Sequence, residues 1–412
     1  MYKIITYIII SMCLPTFISA EEIKVSVGTL KISKKAKEYV NQVLDSNRLS
    51  YGPFLQKFER DFAAIHGAQF GLTSNSGTSS LQIALQAMKE IHNWQDDDEV
   101  LVPAITFVAT SNIVIHCRMK PVFVDVEKEY YGIDPELIEQ KINSRTRAII
   151  PVHLFGLSCD MDPIIEISNK YNLKIIEDSC ETMFVTYKNR PVGTLGDIGC
   201  FSTYVAHLLT TGVGGLSITN NKEYAIAMRS LLNHGRDSIY IGMDDNKKRG
   251  VEFKEIIEKR FSFISIGHSF RITEMEGALG LAQLEDWQPM INKRQFNAQY
   301  LTNGLKKWQA QFQLPKIRPE CTHAFMMFPI VLFNEPKKNL VHYLEDNGIE
   351  TRNMLPLINQ PIYKKMFNIK EEDYPVAKWI NDNGFYVGCH QDLTIQDLDL
   401  IIQTIDNYFE RK

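Results

Sequence analysis

Apolar positions recur along this chain with two alternating periods. Ala36, Val40, Val43 and Leu44 fall at spacings of three and four, which predicts a helix over 33–47. Ser50, Tyr51, Gly52 and Pro53 break it, and Leu55, Phe58, Phe62 and Ile65 open a second helix. Phe70 to Thr73 is a short apolar strand. It runs into Ser76-Gly77-Thr78-Ser79-Ser80, after which Leu81, Ala84, Leu85 and Met88 carry another helix. A strand, a turn of small residues and a helix form an arrangement suited to anions.

That unit then repeats. Strands are predicted at 99–103, 121–126, 148–153 and 173–178, with helices at 107–116, 135–141 and 161–171 between them. The alternation predicts an α/β domain with a largely parallel sheet. Two more short strands are expected at 199–202 and 215–219. The charged, poorly periodic stretch 241–260 reads as an inserted surface loop. A long helix over 275–291, continuing towards Phe296–Trp308, leads to a strand at 326–333 and a helix at 340–347. The expected division is a leader at 1–23, a large domain at 24–284 and a smaller α+β domain at 285–412.

Composition narrows the function. Of 412 residues, 45 are Lys or Arg and 49 are Asp or Glu, giving a formal net charge of −4. A nucleic-acid-binding protein would carry a basic surplus, so no nucleic-acid partner is expected. Seven cysteines are too sparse for a disulfide scaffold, which predicts reduced thiols. Residues 1–20 carry one Lys, an apolar run and the small pair Ser19-Ala20. They read as a weak secretory signal or short anchor, or as an early start with Met12 the true one. A cytoplasmic location is expected, with export through this segment as the alternative.

Candidate chemistry gathers at a few positions. Gly77 and Thr78 lie where a helix start offers free N–H groups and a hydroxyl; a plain N-cap explains the same residues equally well. Asp178 ends the strand KIIED, where a carboxylate faces the crevice of a parallel sheet or caps the next segment. His207 lies between two clusters of glycines and hydroxyls. Beside Leu208 it reads, by composition alone, as a structural histidine. HExxH, CxxC, GxGxxG, GxxxxGK[ST] and GxSxG are all absent.

Taken in order, these pieces resemble the DegT/DnrJ/EryC1/StrS family of sugar-nucleotide aminotransferases and dehydratases, pyridoxal-phosphate enzymes of fold type I. The matching pieces are Leu49 to Pro53 with Phe58-Glu59, Ser76-Gly77-Thr78, Pro103 to Phe107, Glu177-Asp178, Gly196 to Ser202, Gly212 to Gly215, Arg271 to Leu284 and Gly348 to Arg352. The resemblance implies a fold type I architecture. It implies that Gly77, Thr78 and Ser202 hold the cofactor phosphate, that Phe107 stacks on its ring and that Asp178 pairs with the ring nitrogen. Glu181 stands where many relatives have Gln beside the ring hydroxyl. Relatives dimerise, so the segment with Ser269 and Arg271 would reach into the neighbour's site, Ser269 towards the cofactor phosphate and Arg271, with Arg352, towards substrate. Ser269 and Val213 depart from the usual Asn and Glu.

The main departure is His207. Transaminating relatives carry Lys there, as the Schiff-base residue; imidazole cannot form that bond but can act as a base. This resembles the sugar 3-dehydratase branch, which holds the pyridoxamine form noncovalently, as in GDP-4-keto-6-deoxymannose 3-dehydratase. Residues 238–270 contain no Cys, so no iron–sulfur cluster is expected. The resemblance thus implies pyridoxal 5'-phosphate or pyridoxamine 5'-phosphate as cofactor. It implies a nucleotide-linked 4-keto-6-deoxy sugar as substrate, L-glutamate as amino donor and a homodimer. C3 dehydration with His207 as base is the leading reading. A sugar aminotransferase and a non-catalytic homologue are the alternatives.

Overall fold

The computed structural model describes residues 23–237, 249–259 and 261–411. The leader segment and part of the charged stretch lie outside the described residues. Thirteen strands are β1 Phe70–Ser74, β2 Glu99–Pro103, β3 Lys120–Val124, β4 Thr146–Ile149, β5 Lys174–Asp178, β6 Thr186–Tyr187, β7 Arg190–Pro191, β8 Ile198–Ser202, β9 Gly215–Thr219, β10 Phe312–Gln313, β11 Met327–Leu332, β12 Thr351–Asn353 and β13 Gly384–Gly388. A seven-stranded sheet runs β1-β9-β8-β5-β4-β2-β3. Four of its pairings are parallel, and β9 runs antiparallel to both neighbours. The expected mostly parallel α/β sheet is therefore present.

Every residue of β2, β8 and β9 is buried, as strands covered on both faces require. Val100 and Val102 face one core and Leu101 the other. A separate four-stranded sheet, β10-β11-β13-β12, is antiparallel throughout. Its core joins Phe328, Ile330, Phe385 and Val387 with Leu301, Ile401 and, from the start of the chain, Val25. Met354, Tyr363 and Ile380 instead pack into the core of the large sheet.

Helices differ from expectation in three places. Residues 135–141 form two short 3₁₀ turns rather than one helix. Gly250–Lys259 is helical (α7), where a loop was expected; α1 to α6 are Lys34–Asp45, Pro53–Ile65, Gly77–Ile91, Ala109–His116, Met161–Tyr171 and Lys222–Leu232. The long helix is two, α8 Glu274–Leu284 and α9 Trp287–Leu305. Asp286 leaves the helical region at φ −122°, ψ 23°, and Lys35, Tyr39 and Lys57 hold Glu285 and Asp286 from α1 and α2. Trp287 stacks on Phe184 at 4.7 Å, which turns α9 away.

Helix α8 also starts α2. The Glu274 carboxylate accepts from the N–H groups of Gly52, Phe54 and Leu55 at 2.7, 2.6 and 3.3 Å, so a side chain from elsewhere caps that helix. Glu59 and Arg229 form a buried bidentate pair at 2.8–2.9 Å, and Glu59 also takes the Thr73 N–H and hydroxyl. This pair locks α2 and α6 to β1.

One carboxylate organises the loop after β7. Glu177 is fully buried, and it accepts from the N–H groups of Gly193, Leu195 and Gly196 at 2.6–2.7 Å. The Cys159 N–H donates to His153 Nδ1 at 3.0 Å, leaving the Nε2 proton to donate to Glu177 at 3.0 Å. Gly193 sits at φ +94°, where a side chain is strained, and that conformation aims its N–H at the carboxylate. Among the described residues no helix is long and apolar enough to cross a membrane.

Removing this carboxylate leaves three buried N–H groups and an imidazole without their acceptor. Glu177→Ala is expected to cost on the order of 3–5 kcal/mol. Denaturant unfolding followed by fluorescence checks it; a loss below about 1 kcal/mol, the worth of one ordinary hydrogen bond, would refute the assignment.

Candidate active site

A cavity of about 390 Å³ opens at the carboxyl end of β5, between the large sheet and the edge of the small one. Its wall brings together Gly77, Thr78, Phe107, Asp178, Glu181, Ser202 and His207. Ser269, Arg271 and Arg352 do not line it.

The amino end of α3 makes one wall. Ser76 caps the helix, its hydroxyl accepting the Ser79 N–H at 3.1 Å. Gly77 and Thr78 follow in the first turn, where N–H groups have no intrahelical acceptor and the helix dipole is positive. A Cβ on Gly77 would come within 2.7 Å of Cys180 Sγ and 2.8 Å of Ser202 Cβ, so only glycine lets backbone, thiol and Ser202 meet here.

Asp178 forms the floor. Thr110 Oγ1 donates to Oδ2 at 2.8 Å and the Cys180 N–H to Oδ1 at 3.2 Å. Burial nonetheless pushes its carboxyl above the ordinary range. A cation beside it would restore the ionised form, which suits a protonated ring nitrogen. The Phe107 side chain, 59% exposed, presents a bare ring at the cavity edge. The Asp178 floor with its two donors, the helix start with its free N–H groups and the exposed ring together fit pyridoxal phosphate.

His207 sits in a loop closed by the bridge between Tyr204 and Gly212 and by the 2.6 Å bond between Thr203 and Thr211 hydroxyls. Its Nδ1–H donates to the Ser202 carbonyl at 3.3 Å, which leaves the Nε2 lone pair as proton acceptor. Desolvation lowers its pKa to about 4, against the opposing pull of that carbonyl. The ring is therefore neutral at physiological pH.

Glu181 shows the opposite shift. Burial first, then the neighbouring Asp178 charge, raise its pKa to about 7, although the Phe155 N–H donates to Oε2 at 3.0 Å. Phe155 holds φ +57°, an uncommon conformation for an aromatic residue, which places that N–H.

Further along, Arg271 donates to Ser269 Oγ at 3.2 Å, on a segment paired with Asn233. Arg352 lies opposite Tyr386 across β12 and β13, on the same face of the small sheet, and pairs with Glu350. Glu350 also accepts the Val27 N–H at 2.8 Å. Gly28 then rests on the His207 loop, its Cβ position 3.6 Å from Ala206 Cα, so residues 25–28 bridge the small sheet and the His207 loop. The cavity also includes Thr106, Tyr204, Met326, Leu355 and Tyr386, none of which sequence reasoning singled out. Thr106 falls inside the Pro103–Phe107 piece without a role of its own, Met326 opens the strand expected at 326–333, and Tyr386 lies in the apolar run of β13. Lys188, on the β6–β7 hairpin, is bound to Asp162 at 2.6 Å. No lysine lines the cavity among the described residues.

Comparison with known proteins completes this picture. The sequence profile of the DegT/DnrJ/EryC1/StrS aminotransferase family matches residues 30–406. The chain belongs to this family. Family members are PLP-dependent sugar aminotransferases or dehydratases. The chain is 31% identical to a GDP-perosamine synthase of Caulobacter vibrioides, over 93% of this chain and 98% of that protein. It is 27% identical to a GDP-4-keto-6-deoxy-D-mannose 3-dehydratase of Escherichia coli, over 89% and 95%. Among solved structures, a Helicobacter pylori aminotransferase involved in pseudoaminic acid biosynthesis superposes with a TM-score of 0.84 at 25% identity, covering 94% of this chain and 100% of that one. The fold is that of the PLP-dependent aminotransferases.

The His207 shift has a testable sign. Unfolded imidazole takes up a proton near pH 6.5, whereas the folded ring resists until about pH 4. Between those values the unfolded state binds more protons, so this group's contribution falls as pH falls. The wild type is expected to lose stability relative to His207→Asn between pH 6.5 and 4. Denaturation midpoints of both proteins across that range measure it, and parallel curves would contradict a neutral ring.

Proposed function

We propose that this protein is a pyridoxamine-phosphate-dependent 3-dehydratase of a nucleotide-linked 4-keto-6-deoxy sugar, with His207 as its base. One observation carries this reading. His207, which by the resemblance stands where transaminating relatives have a Schiff-base lysine, is a neutral imidazole, and no lysine lines the cavity among the described residues. A noncovalently held amine form follows from that chemistry, and the likeness to a 3-dehydratase supports it.

When bound, the cofactor supplies a pyridinium electron sink. Gly77, Thr78 and Ser202 hold its phosphate at the positive end of α3. Asp178 keeps the proton on the ring nitrogen. Phe107 packs on the ring face and limits water at the reacting side. His207 Nε2 would take the proton from the cofactor C4′ as the sugar 3-hydroxyl leaves. On this reading the products would be ammonia and a 3-deoxy-4-keto sugar, with L-glutamate as the donor that would restore the amine form. Two copies share their sites, with Ser269 and Arg271 reaching across and Arg352 facing substrate. The adjoining run Phe261, Ile264 and Ile266, 84%, 66% and 89% exposed, supports an interface there.

The test is direct. Incubation with glutamate and a 4-keto-6-deoxy sugar nucleotide is expected to release ammonia and the 3-deoxy product, with no lysine adduct after borohydride reduction. His207→Asn should lower that rate about 10²–10⁴-fold while still binding the cofactor. An amino-sugar product together with a reduced lysine adduct would overturn the reading.

A further inference from the structure

The groups that fit the cofactor line one side of the cavity, which leaves the other side for substrate. Thr78, Asp178, Glu181 and Ser202 come from the large sheet and its loops. Met326, Met327, Leu355 and Tyr386 face them from β11, β13 and the residues beside the small sheet, and Tyr386 alone among these four carries a hydroxyl. No Lys or Arg lines the cavity among the described residues. Such walls suit an uncharged sugar ring and not a diphosphate, so the ring is the part of a nucleotide sugar that enters.

Tyr386 is built into place. It lies in β13, the strand between β11 and β12, with Pro329 opposite on one side and Arg352 on the other. Its ring packs on Phe155 from the large sheet's β4–α5 connection, with centroids 5.7 Å apart. The Phe155 carbonyl in turn accepts the Met326 N–H at 3.0 Å, so both sheets fix the phenol. The residue is only 8% exposed, yet its hydroxyl is not sealed in the core and has no partner among the described residues. Polar groups this deeply placed are normally paired, and this one is left open on a cavity wall. Burial and the nearby Glu181 carboxyl push its pKa up, with Arg352 opposing, so it gives a hydrogen bond and keeps its proton. Tyr204, the other phenol of the wall, is half exposed on the His207 loop and stands edge-on to the imidazole at 6.0 Å, beside the base.

The substrate limits what Tyr386 can meet. In a 4-keto-6-deoxy hexose, C1 bears the nucleotide, C4 the keto group that reacts and C6 a methyl. Hydroxyls remain only at C2 and C3, and the one at C3 departs. The 2-hydroxyl is therefore the ring hydroxyl common to substrate and product.

We propose that the Tyr386 hydroxyl binds the 2-hydroxyl of the sugar and makes the site selective for sugars that retain it; this rests on the substrate of the reading above and not on its product. The contact breaks no bond and is the same before and after elimination. It strengthens ground state and transition state alike, so its effect falls on KM more than on kcat.

Tyr386→Phe tests it, because the change removes one oxygen and keeps the ring on Phe155. The full chain, with pyridoxal phosphate and glutamate, is given 4-keto-6-deoxy sugar nucleotides and their 2-deoxy analogues, each in GDP and dTDP forms. Wild type should favour the 2-hydroxy substrate about 3–10-fold in kcat/KM, mostly through KM. Tyr386→Phe should lose that factor on the 2-hydroxy substrate, lose little on the 2-deoxy one and show no preference between them. Coupling of this kind marks a direct contact. Equal losses on both substrates would make the residue structural and overturn the inference, as would a wild type indifferent to the 2-hydroxyl; either result leaves the dehydration reading standing. An amino-sugar product would overturn the dehydration reading, and the same comparison on that product then decides Tyr386. A wild type that accepts none of these sugar nucleotides would overturn both.

Discussion

The Glu177 carboxylate is the interaction on which this architecture turns. It has no access to water, and its cost of burial is met by four hydrogen bonds to the 193–196 loop and His153. That loop is the approach to β8, and β8 ends in Ser202, where the His207 loop begins. Side chains alternate across a strand, so the next residue, Asp178, must face the other way. One strand end therefore fastens the scaffold with one carboxylate and furnishes the cavity floor with the next.

Polarity in the cavity follows the same economy. There are few counter-ions and much desolvation, and burial lowers the His207 pKa to about 4 while raising that of Glu181 to about 7. Asp178 differs only in having hydroxyl and amide donors and a place beside it for a cation. The electrostatics of the site thus come from burial more than from ion pairs, whereas the paired charges of Glu59 and Arg229 serve the scaffold.

Much of this was legible in the sequence, because it is local. The strand and helix periods gave β1, β2, β5, β8 and β9 close to their bounds, and the residues that local pattern or the family resemblance marked, Gly77, Phe107, Asp178, Glu181, Ser202 and His207, all reach one cavity. What escaped is nonlocal. Apolar periodicity runs unbroken from Met275 to Ile291, and the break at Asp286 arises from charges on α1 and α2 and from Trp287 packing on Phe184. Tyr386 and Leu355 are ordinary residues of a distant segment, brought to the cavity only when the small sheet docks. Residues 250–259 do carry an amphipathic pattern, but it lies within the charged stretch 241–260, whose composition hid their helix.

The start of the described chain has a consequence for how relatives of this protein can diverge. Val25 is buried in the small-sheet core, Val27 bonds Glu350, and Gly28 lies on Ala206. Three successive anchors within four residues leave no slack. Insertions or deletions between 25 and 28 would drag one anchor off its seat, while the exposed residues Leu30 to Lys34 have room to absorb them. Length variation among homologues should therefore accumulate after this stretch and not within it.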